Sequence, residues 1–122
     1  MKDWHLLVVE DDQDGQEVVA RVLNYHKIPF HVVFTAEEAL EALEHGHYTG
    51  GIFDLALPGM DGFSLLDTVK HNPDTTEMPC VAVTAYHSSD VAAKAIEAGF
   101  VAYFPKPLES MTFVRDLRRV MD

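Results

Sequence analysis

The sequence predicts an α/β protein built on one doubly wound parallel sheet, and this prediction rests on the alternation of its elements and on the chain length. Short apolar runs alternate strictly with segments of helical periodicity, which gives five strand–helix units in 122 residues. Strands that alternate with helices in this way form parallel sheets with helices packed on both faces. A chain of this length has room for one ordinary hydrophobic core, so we expect a single domain over residues 1–122.

The first two units are visible in the spacing of their apolar residues. We predict strands over residues 6–9 and 30–34 and helices over residues 13–25 and 36–45. The second helix has apolar residues at i, i+3, i+4 and i+7, which are Ala36, Ala39, Leu40 and Leu43. Thr35 and Glu38 form a capping box before this helix, and Gly46 is suited to end it.

The remaining three units follow the same alternation. We predict strands over residues 49–53, 79–84 and 101–104, and helices over residues 63–71, 89–98 and 109–121. The connection at 57–62 reads Leu-Pro-Gly-Met-Asp-Gly and is predicted to be a loop, because proline and glycine interrupt regular structure. Right-handed crossovers leave few topologies for five such units, and doubly wound sheets are among them.

Composition and charge exclude several classes of protein. The chain has 9 basic and 20 acidic residues and a net charge of −11, which argues against binding nucleic-acid phosphates directly. No apolar run approaches the ~20 residues of a membrane span. The N-terminal apolar stretch is too short for a signal peptide, so we expect a cytoplasmic protein. Cys80 is the only cysteine, and its apolar neighbours predict a buried, inert thiol.

Polar side chains collect where the predicted strands end. They are Glu10, Asp11 and Asp12 after the first strand, Asp54 after the third, Thr84 at the end of the fourth and Lys106 after the fifth. Ligands of open α/β sheets bind at this carboxyl edge, at the point where the strand order reverses. For the order 2-1-3-4-5 that point lies between the first and third strands, which places the acidic cluster beside Asp54. Carboxylate oxygens in such a cluster favour a hard cation, and Mg²⁺ in particular.

A run of glycines after the first strand would favour a dinucleotide, but this chain has carboxylates there, which repel a pyrophosphate. The chain instead has an ordered set of motifs: Glu10-Asp11-Asp12, Asp54, the loop 57–62, Thr84-Ala85, Tyr103 and Lys106-Pro107. This set resembles the receiver domain of response regulators in two-component signalling. The resemblance covers essentially the whole chain and implies a flavodoxin-like, three-layer (βα)5 sandwich with strand order 2-1-3-4-5.

This resemblance implies a role for each site residue. Asp54 would accept a phosphoryl group from a phosphohistidine on a histidine kinase or histidine phosphotransfer protein. Mg²⁺ would be held by Asp11, Asp54 and the backbone carbonyl of Ala56, with Glu10 acting through a water molecule. Lys106 would bind a phosphate oxygen, and the family has a cis peptide bond between this lysine and the following proline.

The resemblance also implies a switch and a set of partners. Thr84 would donate its hydroxyl to the phosphoryl group, and Tyr103 would turn inward into the space that Thr84 vacates. The surface of the fourth helix, fifth strand and fifth helix would then change for an output partner, an output domain or a phosphorylation-dependent homodimer. The donor would dock around Asp14, Gly15, Val18 and Pro107.

Two positions depart from the usual pattern and leave alternatives open. Ala56 offers no side chain to steer water and Tyr86 could shield the site, so we expect an unusual phosphoryl lifetime. The chain would be a signalling phospho-acceptor and not an enzyme in the ordinary sense. A non-phosphorylated pseudo-receiver remains an alternative. A haloacid-dehalogenase-like phosphatase is a weaker alternative, because that chemistry requires a second acid where this chain has Ala56. The sequence also leaves open whether Asp12 only caps a helix.

Overall fold

The computed structural model describes residues 3–86 and 88–121, and in this part of the chain it contains five strands and five helices in strict alternation. The strands are β1 (Leu6–Val9), β2 (Phe30–Val33), β3 (Gly50–Asp54), β4 (Cys80–Thr84) and β5 (Ala102–Pro105). The helices are α1 (Gln13–Tyr25), α2 (Ala36–His45), α3 (Gly62–His71), α4 (Ser89–Ala98) and α5 (Ser110–Met121).

All neighbouring strands pair in parallel, in the order β2-β1-β3-β4-β5. The register pairs Val9 with Phe53 and Asp54 with Val83, so the ends of β1, β3 and β4 lie at one edge of the sheet. The predicted fold class and strand order are therefore confirmed.

The sheet separates two apolar cores, because side chains alternate between its faces. One core joins alternate strand residues to α2, α3 and α4, and includes Leu7, Phe53, Cys80, Leu66 and Phe100. The other joins the remaining strand residues to α1 and α5, and includes Val8, Ile52, Val81, Leu23 and Phe113. Helices on both faces of one sheet make the predicted three-layer sandwich.

Several element boundaries differ from the predicted ones by one residue, and at two of these boundaries a side chain binds the backbone. The strand predicted to reach residue 34 ends at Val33, because the Phe34 N–H donates to Glu38 Oε1 at 2.7 Å. The helix predicted from residue 109 begins at Ser110, because Glu109 accepts from the Thr112 N–H at 2.8 Å. These hydrogen bonds lower the pKa of the Glu109 carboxyl, first through the Thr112 hydroxyl and then through backbone N–H groups.

Capping side chains fix the starts of the helices above the carboxyl edge. Asp12, Thr35, Asp61 and Ser88 each accept a hydrogen bond from a backbone N–H three residues ahead, at the N-termini of α1 to α4. Asp12 therefore has the capping role that the sequence left open. None of the helices within the described residues is both long and apolar enough to cross a bilayer.

Candidate functional site

The site lies where β1 and β3 end side by side. Glu10 directly follows β1, and its N–H donates to Val33 O at 3.1 Å, so its backbone continues the strand pairing. Asp54 is the last residue of β3. Both side chains are almost fully buried, with 1 % and 5 % of the residue exposed respectively. The parallel register thus brings two acids from distant segments into one crevice, as the sequence predicts.

Three carboxylates converge in this crevice. Glu10, Asp11 and Asp54 each present one oxygen, and these oxygens all lie within 4.8 Å of one another. The Lys106 ammonium donates to Asp54 Oδ2 at 3.1 Å and also to Glu10 Oε1. One ammonium among three carboxylates leaves a surplus of two negative charges when all are ionised, which suits a divalent cation.

Burial and charge shift the pKa values of two of these groups. Burial raises the pKa of Glu10 to about 7, and the neighbouring Asp54 adds to this rise while Lys106 opposes it. Burial by itself would lower the pKa of the Lys106 ammonium, but its hydrogen bonds and charge attraction to Glu10 and Asp54 raise it. The lysine is therefore held firmly in its charged form, with two acidic partners.

Two further predicted site residues lie next to this cluster. Thr84 is buried, and its Oγ1 accepts from the Tyr86 N–H at 3.0 Å. Ala56 is exposed, and its N–H donates to Asp54 Oδ1 at 3.0 Å, which fixes the orientation of that carboxylate. The Lys106–Pro107 peptide bond is cis, as the family resemblance implies.

Tyr103 lies on the same face of the sheet as Thr84. The register pairs Ala82 with Tyr103 and Thr84 with Pro105, so the two residues are one alternation apart on neighbouring strands. Tyr103 is partly buried and packs against the core formed with α2, α3 and α4. The arrangement places the two predicted switch residues close together, while their switching roles stay predictions.

A cleft of about 550 Å³ opens above the acids. Asp11, Asp54, Ala56 and Lys106 form its polar end. Its walls include Asp14, Gly15, Val18 and Pro107, the four residues predicted to contact a donor, together with Val19, Ala85, Tyr86 and Leu108. Glu10 and Thr84 are buried and do not line the cleft.

The sequence did not point to two residues that shape the site. The Gln16 side-chain amide donates to the Glu10 carbonyl oxygen at 2.5 Å, and nothing in the local sequence signals that contact. A Cβ at Gly62 would lie 2.5 Å from Asp54 O, so this glycine lets α3 approach β3 closely. Gly62 is the last residue of the predicted loop 57–62 and the first residue of α3. The glycine-rich composition of this loop was the only sequence feature that could have pointed to it.

Comparison with known proteins places this chain in one family. Residues 6–118 match the model of the response regulator receiver domain. The two-component response regulator ORR8 of Oryza sativa is 29 % identical over 122 residues, covering 99 % of this chain and 98 % of the relative.

Two solved structures have the same fold. A candidate response regulator from Chloroflexus aurantiacus superposes with a TM-score of 0.92 at 29 % identity, covering 97 % of both chains. The receiver domain of the sensor histidine kinase PA1611 of Pseudomonas aeruginosa superposes with a TM-score of 0.88 at 24 % identity, covering 97 % of both chains. That structure has a magnesium ion coordinated in its active-site cleft.

The doubly wound sheet, with acids and a lysine at its carboxyl edge, is typical of receiver-like α/β proteins. This chain belongs to the response regulator receiver domain family of two-component signalling.

Proposed function

We propose that residues 1–122 form one receiver domain in which Asp54 accepts a phosphoryl group from a phosphohistidine. The donor would be a histidine kinase or a histidine phosphotransfer protein. The observation that carries this proposal is the Asp54 carboxylate, which is buried at the floor of an open cleft and hydrogen-bonded to Lys106 at 3.1 Å.

The chemistry of transfer follows from the groups around Asp54. The carboxylate attacks phosphorus, a P–O bond forms, and the P–N bond breaks with its electron pair left on the imidazole nitrogen. Catalysis of such a step is mainly positioning and charge stabilisation. Lys106 would neutralise one phosphoryl oxygen, and the Thr84 hydroxyl would donate to another.

Mg²⁺ would be held by Asp11, Asp54 and the Ala56 carbonyl oxygen, with Glu10 contributing through a water molecule. The fit is supported by three carboxylate oxygens within 4.8 Å of one another, which is the hard-oxygen ligand set that Mg²⁺ prefers. The bound cation would reduce the repulsion between the acceptor and the incoming phosphoryl oxygens. Magnesium in the cleft of the PA1611 receiver domain is consistent with this assignment.

A phosphoryl group on Asp54 would change the surface formed by α4, β5 and α5. Thr84 would move toward the phosphoryl group and Tyr103 would follow it, because both lie on the same face of the sheet. Ile96, Val101 and Met111 are exposed apolar residues on this surface and offer contacts for a partner. An output protein, an output domain or a phosphorylation-dependent homodimer would read the change, in the cytoplasm.

A pseudo-receiver that binds partners without being phosphorylated is the competing function. Intact mass after incubation with acetyl phosphate and Mg²⁺ separates the two. We expect one added phosphoryl group, absent with EDTA and absent in Asp54→Asn. No adduct together with failure to bind beryllofluoride would favour the pseudo-receiver.

The residue at position 56 should set the lifetime of the phosphoryl group. Ala56 is exposed in the cleft and has no polar atom beyond its backbone to orient an attacking water. We expect Ala56→Asn to speed dephosphorylation by roughly tenfold, equivalent to ~1.4 kcal/mol in the barrier. Loss of the adduct over time measures this, with Ala98→Asn on the exposed end of α4 as the control. Identical decay of wild type and Ala56→Asn would contradict the prediction.

A further inference from the structure

Gly15 lies in the first turn of α1, where a glycine does not stabilise the helix. A glycine inside a helix makes that helix less stable than an alanine would. Its backbone does not require one, because the glycines with positive φ are Gly59 and Gly99. Its N–H donates to Asp12 Oδ2 at 2.9 Å, which any residue except proline could do. The reason for the glycine must therefore lie in what surrounds it.

The space beside Gly15 is filled by the Glu10 carboxylate. A Cβ on Gly15 would lie 2.5 Å from Glu10 Oε1, 2.7 Å from Cδ and 3.2 Å from Cγ. The first two distances are far shorter than a van der Waals contact. The oxygen nearest to the added carbon, Oε1, is the same one that accepts from Lys106.

Glu10 has little freedom to move away from an added side chain. The residue is 1 % exposed, and its Oε2 accepts from the Asp12 N–H at 3.3 Å. Its backbone is held at both ends, by Gln16 Nε2 on the carbonyl oxygen and by Val33 O on the N–H. A carbon at position 15 would therefore displace the carboxylate from Lys106.

We propose that Gly15 is a positioning residue for the acidic site. Its missing side chain gives Glu10, one methylene longer than an aspartate, the room to place its carboxylate against Lys106 and beside Asp11 and Asp54. Glu10 and Gly15 thus form a matched pair, in which the long side chain of one residue occupies the space that the other leaves open. The effect on Mg²⁺ binding rests on the function proposed above, whereas the packing of Glu10 against Gly15 does not depend on that function.

If Glu10 and Gly15 are a matched pair, the effect of Gly15→Ala should depend on whether residue 10 is Glu or Asp. If glycine were needed at position 15 for another reason, the effect would be the same in both backgrounds. In the wild-type background, Gly15→Ala should weaken Mg²⁺ binding by about tenfold, the usual scale for disturbing a group that supports a metal site. In the Glu10→Asp background the shorter acid withdraws from the added methyl group. The same Gly15→Ala change should there weaken Mg²⁺ binding by less than about twofold, because the two changes are coupled through contact.

The experiment compares wild type, Gly15→Ala, Glu10→Asp and the double variant. Calorimetric titration with Mg²⁺ gives the affinities, and urea unfolding without Mg²⁺ gives the midpoints. The midpoint should fall on Gly15→Ala when residue 10 is Glu and rise when it is Asp, where only the better helix propensity of alanine remains. Gly46→Ala is the control, because its Cβ would meet ordinary contacts of 3.5 Å or more.

Equal Mg²⁺ affinity for wild type and Gly15→Ala would overturn the proposal. A midpoint that falls in both backgrounds, or a failure to fold of both proteins that carry Gly15→Ala, would also overturn it, since glycine would then be needed for another reason. If only the double variant folds and binds Mg²⁺, the proposal is supported. Should the midpoint reverse while wild type accepts no phosphoryl group, the packing inference stands and the proposed function fails.

Discussion

Lys106 is the residue that makes a pair of buried acids tolerable at the end of the sheet. Two carboxylates ~4 Å apart repel each other by about 4 kcal/mol at an effective dielectric constant near 20. The Lys106 ammonium lies between Glu10 and Asp54 and hydrogen-bonds both, with only 22 % of its side chain exposed. Its positive charge therefore supports the fold as well as the proposed chemistry.

Removing that charge should be costly in the absence of Mg²⁺. We expect Lys106→Met, which keeps most of the aliphatic side chain but removes the ammonium group, to lower the free energy of unfolding by about 2–3 kcal/mol, since it leaves buried carboxylates without a partner. Urea unfolding in EDTA measures the change. Lys94→Met removes an exposed lysine that lies over the Phe63 ring, and should change stability by less than about 1 kcal/mol. Equal losses from both variants would contradict this account of Lys106.

The cation cluster makes a second prediction at the residue scale. Asp11 contributes an oxygen to the three-carboxylate cluster, whereas Asp14 lines the same cleft outside it. We expect Asp11→Asn to weaken Mg²⁺ binding by tenfold or more, because it would remove one of the proposed direct ligands. Asp14→Asn removes an equal charge nearby and should weaken binding only about twofold. Similar losses would show that general negative charge, and not ligation, holds the cation.

The sequence could predict which residues meet at the site, but not how deeply each is buried. Asp54 and Thr84 are the last residues of their strands and Lys106 directly follows β5, so topology alone brings them to one edge. Glu10 is buried in contact with Lys106, 96 positions away, and beside the space left open at Gly15. Contacts between distant segments leave no periodic signal in the sequence, and for that reason the raised pKa of Glu10 could not be foreseen.

At the scale of elements, the turn between α1 and β2 carries strain that could be relieved. The Ile28 N–H donates to Leu23 O at 2.9 Å and the Lys27 N–H donates to Asn24 O at 3.0 Å, which is the pattern of a Schellman ending. That ending places Lys27 at φ 59°, a left-handed conformation that glycine adopts easily and other residues adopt at a cost. Lysine at this position is therefore a local compromise.

Glycine at position 27 should stabilise the protein. We expect Lys27→Gly to raise the free energy of unfolding by about 0.5–1 kcal/mol, the relief of left-handed strain less the greater flexibility of the unfolded chain. Lys27→Ala removes the same charge but keeps a Cβ, and should bring no comparable gain. Urea midpoints of the three proteins test this, and a gain with alanine equal to that with glycine would assign the effect to charge.

Local sequence predicted the elements well and their ends less well. Each predicted strand and helix is present, because apolar periodicity reports which face is buried. The end of β2 and the start of α5 moved where Glu38 and Glu109 bind backbone N–H groups. The sequence predicted a capping role for Glu38, but it did not predict that Glu38 would bind the Phe34 N–H or that Glu109 would cap α5, so the exact ends of these elements depend on the folded geometry.

On the scale of the whole molecule, the buried thiol of Cys80 makes the stability of the protein depend on pH. The thiol lies at the start of β4 with no exposed surface, and burial raises its pKa to about 12, slightly offset by Lys70. Above pH 9 the unfolded thiol loses its proton while the folded one keeps it. Its contribution to stability is therefore complete below pH 9 and declines as the pH rises toward 12.

This difference can be measured by removing the thiol. Between pH 9 and 12 the wild type should lose more unfolding free energy than Cys80→Ala, by up to about 1.4 kcal/mol for each pH unit. Urea unfolding at a series of pH values provides the two curves, and values below pH 9 correct for the cavity left by the substitution. Parallel curves throughout this range would mean that the thiol ionises as easily in the folded protein as in the unfolded chain.

The central claim is that Asp54 is the phosphoryl acceptor, and chemical mapping of the modified residue tests it most directly. Borohydride reduces an aspartyl phosphate to homoserine, which tandem mass spectrometry locates after treatment with acetyl phosphate and Mg²⁺. The account predicts homoserine at position 54 and at no other aspartate, with the signal lost in EDTA. Homoserine at Asp11 or Asp12 instead, from a folded protein, would contradict it.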